Sequence, residues 1–179
     1  MKRNIFKALA VVALAASLTS CGDDFLETKN YKGVDVDNGL SNATAVANAV
    51  NGEYYWLHDY RFAGNFAINI GEIPTDIAYW NAGTDHFNDI YQFTFTDQDN
   101  YLYGIWKYGN KVVDNSARAI KAAKNLYGAS SEEDKVTLDV AMGEAYALRG
   151  YANLLMVNVY GHQIKVDGQD FSSQPGLVI

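Results

Sequence analysis

Apolar residues recur at helical spacing in three stretches of this chain, and the longest, Glu132 to Gly161, carries two apolar rows instead of one. Val136, Val140, Gly143, Ala147, Gly150, Leu154 and Val157 step by four and three. So do Leu138, Ala141, Ala145, Leu148, Ala152, Leu155 and Val159, on roughly the opposite side. A helix apolar on one stripe lies at a surface, whereas one apolar on two is sandwiched, so the pattern predicts the central helix of an all-α layer. Ser130 or Ser131 is placed to cap its start, with Glu133 or Asp134 as the capping-box acid, and Gly161 predicts a left-handed stop. Interior glycines cost about 1 kcal/mol each relative to alanine. Gly143, Ala147 and Gly150 therefore predict the close approach of another helix. Glu144 and Arg149, the only charged side chains from Ala141 to His162, read as a pair holding neighbouring backbone, with a ligand contact as the alternative.

Two further helices are predicted. One spans about Asn42 to Tyr60, capped by Ser41 or Asn42, with Ala43, Val46, Ala47, Val50, Tyr54 and Leu57 on its core face. The other spans about Asn100 to Tyr127. Its apolar face holds Leu102, Ile105, Gly109, Val112, Val113, Ser116, Ile120, Ala123 and Tyr127, and Lys107, Lys111, Asp114, Arg118 and Lys121 occupy the opposite face. Asp114 and Arg118 are spaced for an i,i+4 ion pair, and Trp106 sits at the edge of the apolar stripe as a structural residue. Gly128 to Ser131 turns this helix into the long one, an antiparallel pair of the tetratricopeptide kind, though no 34-residue self-similarity is present. Between the first two helices, Arg61 to Asp99 lacks helical period. Its one alternating run, Tyr91 to Thr96, predicts a short strand, and long structured loops of this sort tend to be functional.

Composition sharpens this picture. The chain has 179 residues, 49% hydrophobic and 20% charged, enough for one domain with a real core. Lys2, Arg3 and Lys7 precede an apolar run, Ala8 to Leu18, too short to span a bilayer as a stable helix, so residues 1–20 read as a secretory signal peptide. The rest carries 11 basic and 21 acidic side chains. That acidity argues against nucleic acid and anionic lipid as partners. Leu18-Thr19-Ser20-Cys21 resembles a bacterial lipobox, which accounts for the lone cysteine as an acylated N-terminus; residues 21–40 then form a lipidated tether and 41–179 the helical domain. The acidic pair Asp23-Asp24 resembles the signal that takes lipoproteins of Bacteroidetes-type bacteria to the cell surface.

The run GEAYALRGYANLLMVNVYG, containing Gly143, Glu144, Arg149, Tyr160 and Gly161, resembles the hallmark helix of the SusD/RagB family of outer-membrane nutrient-binding lipoproteins. Phe25-Leu26 after the acidic pair, LSNATAVANAVNGEYYWL, and IWKYGNKVVDNSARAI around Trp106 are similar to further family segments. One departure stands out: the family usually has a G-x-x-P step after the glycine, and here Gln163-Ile164 replaces it. The resemblance covers this chain as the N-terminal part of a longer protein, so it implies either a fragment or a truncated gene.

The resemblance implies a mainly α, SusD-like fold with a tetratricopeptide-like helical layer, an irregular loop region and at most a short strand pair. It also implies a surface-exposed outer-membrane lipoprotein that binds an oligosaccharide, or less often a peptide, and passes it to a SusC-like, TonB-dependent transporter without breaking bonds. In some members the loop corresponding to Gly71-Glu72 and Asp76 contributes to the ligand face. Asp76, Tyr79, Trp80 and Asn81 suit such a face, because aromatic rings stack on sugar rings while amides and carboxylates satisfy hydroxyl groups. The alternative for Tyr79 and Trp80 is packing of the loop onto the helices.

No enzyme motif competes strongly. His58, His86 and His162 form no metal-binding pair, and no nucleophile elbow, Walker loop or dinucleotide fingerprint occurs. Asp35 to Gly39 fails as a calcium loop, because glycine falls at position 5 where an oxygen ligand belongs. No metal or cofactor is expected, and a glycan-active enzyme is the weaker alternative, behind a helical scaffold that only docks the transporter.

Overall fold

The computed structural model describes residues 39–177; Cys21, Asp23, Asp24 and the expected signal segment lie outside them. The fold is mainly α. Of three long helices, α1 (Ala43–Leu57), α4 (Asn100–Tyr127) and α5 (Glu132–Tyr160), the first two are joined by a loop region holding two single turns, α2 (Phe66–Asn69) and α3 (Asn88–Tyr91), and the last two by a short turn. A two-strand hairpin, β1 (Lys165–Val166) and β2 (Gln169–Asp170), follows α5.

Local chemistry explains the boundaries. Asn42 Oδ1 accepts from the Ala45 amide at 2.9 Å, Asp99 Oδ1 from Tyr101 at 2.7 Å and Leu102 at 3.2 Å, and Ser131 Oγ from Asp134 at 3.1 Å. Ser131 also donates to the Asp134 carboxylate at 2.9 Å, so its own helix-start acid completes the cap. The first helix ends at Leu57, three residues short of expectation. Gly161 closes α5 with φ −90° and ψ 154°, an extended conformation and not the left-handed one expected.

The three helices pack around one core. Residues near the start of α4 meet the end of α5: the Tyr160 hydroxyl donates to the Leu102 carbonyl at 2.6 Å, and Tyr127 at the other end donates to Asp139 at 3.0 Å. That pairing makes α4 and α5 antiparallel. α1 runs against α4 as well, with Glu53 opposite Ser116 and Trp56 beside Lys111. The core is Val46 and Val50 from α1, Ile105, Val112 and Ala119 from α4, and Leu138, Ala145, Ala152 and Met156 from α5, sealed at one end by Phe62, Phe66 and Ile90.

Several expectations are corrected by this packing. The second row of α5 (Leu138, Ala141, Ala145, Leu148, Ala152) is buried, but the first is not: Val136 is 65% exposed, and Val140 and Leu154 are exposed too. α5 is therefore sandwiched only on one side among the described residues. Beyond the helix's own neighbouring backbone, no atom comes within 4 Å of a Cβ built on Gly143 or Gly150, so among the described residues no helix approaches there. The glycine that does permit close approach is Gly109 of α4, where a Cβ would lie 2.5 Å from Met156 Sδ and 3.0 Å from Phe62. Tyr54, expected in the core, is 46% exposed, and Glu53 takes the buried position. The strand expected at Tyr91 to Thr96 is absent; α3 ends there and Phe93 turns the chain with φ 56°. The hairpin lies instead at Lys165–Asp170, turned by Asp167 and Gly168, both at positive φ, as Asp-Gly in a two-residue hairpin loop requires.

Candidate functional site

The irregular stretch from Asp59 to Asp99 is docked onto the first half of α4 by aromatic packing. Phe66 is the hub. Its ring contacts Tyr60, Phe87 and Tyr101 edge-on, with centroids 5.4, 5.4 and 4.7 Å away. His86 and Phe87 stack with centroids 4.6 Å apart, and Phe87 lies over Tyr101 at 4.3 Å. The Tyr101 oxygen accepts from the Phe87 amide at 2.9 Å and lies 2.9 Å from His86 Nδ1. Such pairs contribute beyond area burial, which explains how a loop without regular structure is held in one place.

The loop tip then projects outward. Ile77 and Tyr79 are exposed, Tyr79 at 86%, and Asp76 and Asn81 are exposed beside them. Trp80 is half-buried and tied to its own loop: its indole N–H donates to the Thr84 carbonyl at 2.8 Å, and its ring lies 6.4 Å from Tyr91. Asn81 Oδ1 accepts from the Gly83 amide at 2.9 Å, an Asx turn that occupies one of its acceptor sites. Thus the four residues singled out in the sequence share one loop, with Asp76 and Tyr79 facing solvent and Trp80 and Asn81 partly engaged in holding its shape. Three non-glycine residues of this region, Ala82, Phe87 and Phe93, sit at positive φ, a conformation that persists only where the surroundings impose it.

A second cluster adjoins the first around Tyr108, and sequence reasoning missed it. Arg61 grips Asp59 with a two-pronged ion pair, Nε to Oδ1 and Nη2 to Oδ2 both 2.8 Å, while its guanidinium lies 3.9 Å above the Tyr108 ring. The Arg61 contact holds the Asp59 carboxyl below the usual carboxylate range. Lys111 Nζ rests 3.7 Å over Trp56 and 5.2 Å from Tyr108, and Lys107 Nζ lies 5.4 Å from Tyr103 and 5.9 Å from Tyr108. No sequence signal joins Arg61, in a loop, to Tyr108, 47 positions on; the fold alone brings them together. Lys107 and Lys111 were visible as polar-face residues of their helix, but not as neighbours of Tyr108.

The hallmark residues have structural surroundings. Trp106 is edge-on to Tyr160 at 5.3 Å and is 43% exposed. Burial pushes the Tyr160 hydroxyl up to about 12, consistent with its role as a neutral donor to Leu102. Glu144 lines an open groove of about 320 Å³ with Ala47, Asn51, Val136, Thr137, Val140 and Ala141. Arg149 lies 5.3 Å from the Tyr146 ring. Neither bonds neighbouring backbone among the described residues, so the pair does not hold backbone as expected.

Glu53 is the other residue that sequence reasoning passed over. It is 1% exposed, accepts a hydrogen bond from Ser116 Oγ, and leaves Oε1 without a partner. Burial raises its carboxyl to about 7, against the smaller opposing effect of Ser116. Its position three residues after Val50, on the stripe of Val46 and Val50, was the available signal.

Among the described residues no group of histidine, cysteine or carboxylate side chains is arranged to hold a metal ion, and no helix is long and apolar enough to cross a membrane. The chain matches no family model, no curated protein and no solved structure.

Proposed function

We propose that this chain is the N-terminal helical part of a SusD/RagB-like surface lipoprotein that binds an oligosaccharide, or a peptide, and delivers it to a TonB-dependent outer-membrane transporter. The observation that carries this reading is the loop of Asp76, Tyr79, Trp80 and Asn81: an exposed aromatic ring and free polar groups on a loop pinned by aromatic packing from below. The hallmark run from Gly143 to Gly161 supports it by resemblance, and the left-handed residues Ala82 and Phe87 support it as imposed backbone at a working loop. Binding of this kind is recognition without bond-breaking. A ring presented on a fixed loop loses little freedom when a sugar stacks on it, and Asp76 and Asn81 then direct hydroxyl groups.

The exposed row Val136, Val140 and Leu154 of α5 favours a second reading, a helical scaffold that only docks the transporter. Calorimetric titration of the full chain with neutral and charged oligosaccharides, beside the purified transporter, separates the two. Under the first reading Tyr79→Ala weakens sugar binding by up to about tenfold. Retained transporter binding with no affinity for any oligosaccharide or peptide establishes the scaffold instead, and release of reducing sugar establishes an enzyme.

A further inference from the structure

The cluster around Tyr108 concentrates positive charge on an otherwise acidic body. Between residues 39 and 177 there are sixteen acidic and nine basic side chains, yet three of the nine, Arg61, Lys107 and Lys111, surround one tyrosine ring. Arg61 is balanced by Asp59. Lys107 and Lys111 have no carboxylate within ion-pair distance among the described residues; the ion pairs present there are Asp59–Arg61, Asp114–Arg118 and Glu132–Lys135. The two lysines stand one turn apart on α4, a like-charge spacing that opposes the helix slightly and that an added anion relieves.

The lysines are also presented beside aromatic faces. Lys111 is seated on Trp56 and Lys107 beside Tyr103, which is exposed, as are Tyr55 and Tyr60 at the edges of the cluster. Ammonium groups held next to exposed rings match a ligand that has both a ring to stack and a negative group to pair. We propose that this surface binds an acidic oligosaccharide, its carboxylate or sulfate groups paired with Lys107 and Lys111 and its sugar rings laid on Tyr103 and Tyr55. The inference rests on the oligosaccharide reading above and narrows its ligand class.

The test is titration of the full chain, purified in mild detergent, with four hexamers: a neutral glucan, an oligogalacturonate, a sulfated chondroitin and hexaglutamate. At least one acidic sugar binds about tenfold more tightly than the neutral one, and the preference shrinks as salt is raised. Lys107→Gln with Lys111→Gln removes the preference and keeps a single cooperative thermal melt, lowered only by the loss of the Lys111 contact with Trp56. Galacturonate and chondroitin together tell a carboxylate site from a sulfate site. Equal affinity for neutral and acidic sugars, an acidic preference untouched by the double substitution, or equally tight hexaglutamate binding overturns this inference and leaves the oligosaccharide reading to stand on its own test. Absence of binding to all three sugars also overturns this inference, while the broader reading falls only if its own wider titration with oligosaccharides and peptides is empty.

Discussion

The Ser116 hydroxyl donates to the Glu53 carboxyl across the contact of α1 with α4, and both side chains are shut off from solvent. The core faces of α4 and α5 bring no charge to meet that carboxyl: their buried residues include tyrosine and serine but no lysine, arginine, aspartate or glutamate. A buried carboxyl without a cation is more stable with its proton on.

That relationship makes stability depend on pH. The folded value, about 7, lies above the ordinary 4.5, so between these limits the folded state holds a proton that the unfolded state has released. Stability therefore falls as pH rises from 4.5 to 7, by about 3 kcal/mol in total, and levels off above. Asp59, held below the usual range by Arg61, acts at more acidic pH and with the opposite sign, its contribution being lost as pH falls. Urea unfolding at pH 5 and pH 8 measures the difference; Glu53→Gln abolishes most of it. An unchanged difference in that variant removes Glu53 as its cause.

Ser116→Ala strands the Glu53 carboxyl altogether. The expected loss is about 1–3 kcal/mol, larger at pH 8 than at pH 5, because the ionised form loses its only donor. Equal losses at both pH values would mean that the serine contributes packing alone.

The glycines of α4 and α5 should respond oppositely to alanine. Gly109→Ala drives a methyl into Met156 and Phe62 and is expected to destabilise by about 1–3 kcal/mol. Gly143→Ala and Gly150→Ala meet open space on an exposed helix face and are expected to stabilise by up to about 1 kcal/mol each. Thermal melts of the three variants decide it; destabilisation by Gly143→Ala would mean that something covers that face in solution.

The exposed row of α5 predicts tolerance and dye uptake. Val140→Lys and Leu154→Lys are expected to change stability by less than about 0.5 kcal/mol, whereas Ala145→Lys, on the buried row, prevents stable packing. The parent chain is expected to bind an apolar dye in its folded state, and the two surface substitutions to reduce that signal.

Tyr101→Phe removes the acceptor of the Phe87 amide and the partner of His86 while keeping the ring stack. A loss of about 1 kcal/mol is expected, with faster amide exchange confined to the loop around residues 80–93. Faster exchange spread evenly through the helices would instead show that Tyr101 supports the whole core.

The three helices were legible from apolar spacing and caps. The limits of α4 and α5 agree with the sequence reading because Asp99 and Ser131 are strong caps, and the Asp114–Arg118 pair, 2.8 Å apart, follows from helical spacing alone. The hairpin was also written in the chain, as Asp167-Gly168, but its two-residue strands are too short to show an alternating pattern. Of the candidate site, the shared loop of Asp76, Tyr79, Trp80 and Asn81 was legible as a break in periodicity, and the hydrogen bond that ties Trp80 to the Thr84 carbonyl was not.

What the chain by itself determined is therefore local: where helices start, which residues each presents on a stripe, and where the long loop lies. Only the tertiary structure decided which of the two rows of α5 is buried, because both are apolar and the choice depends on how many helices are present to cover them. It also decided that Glu53 and not Tyr54 enters the core, and that Arg61, Trp56, Tyr108 and Lys111 meet. Those contacts join residues far apart in the chain, and no periodicity within one element records what stands opposite it.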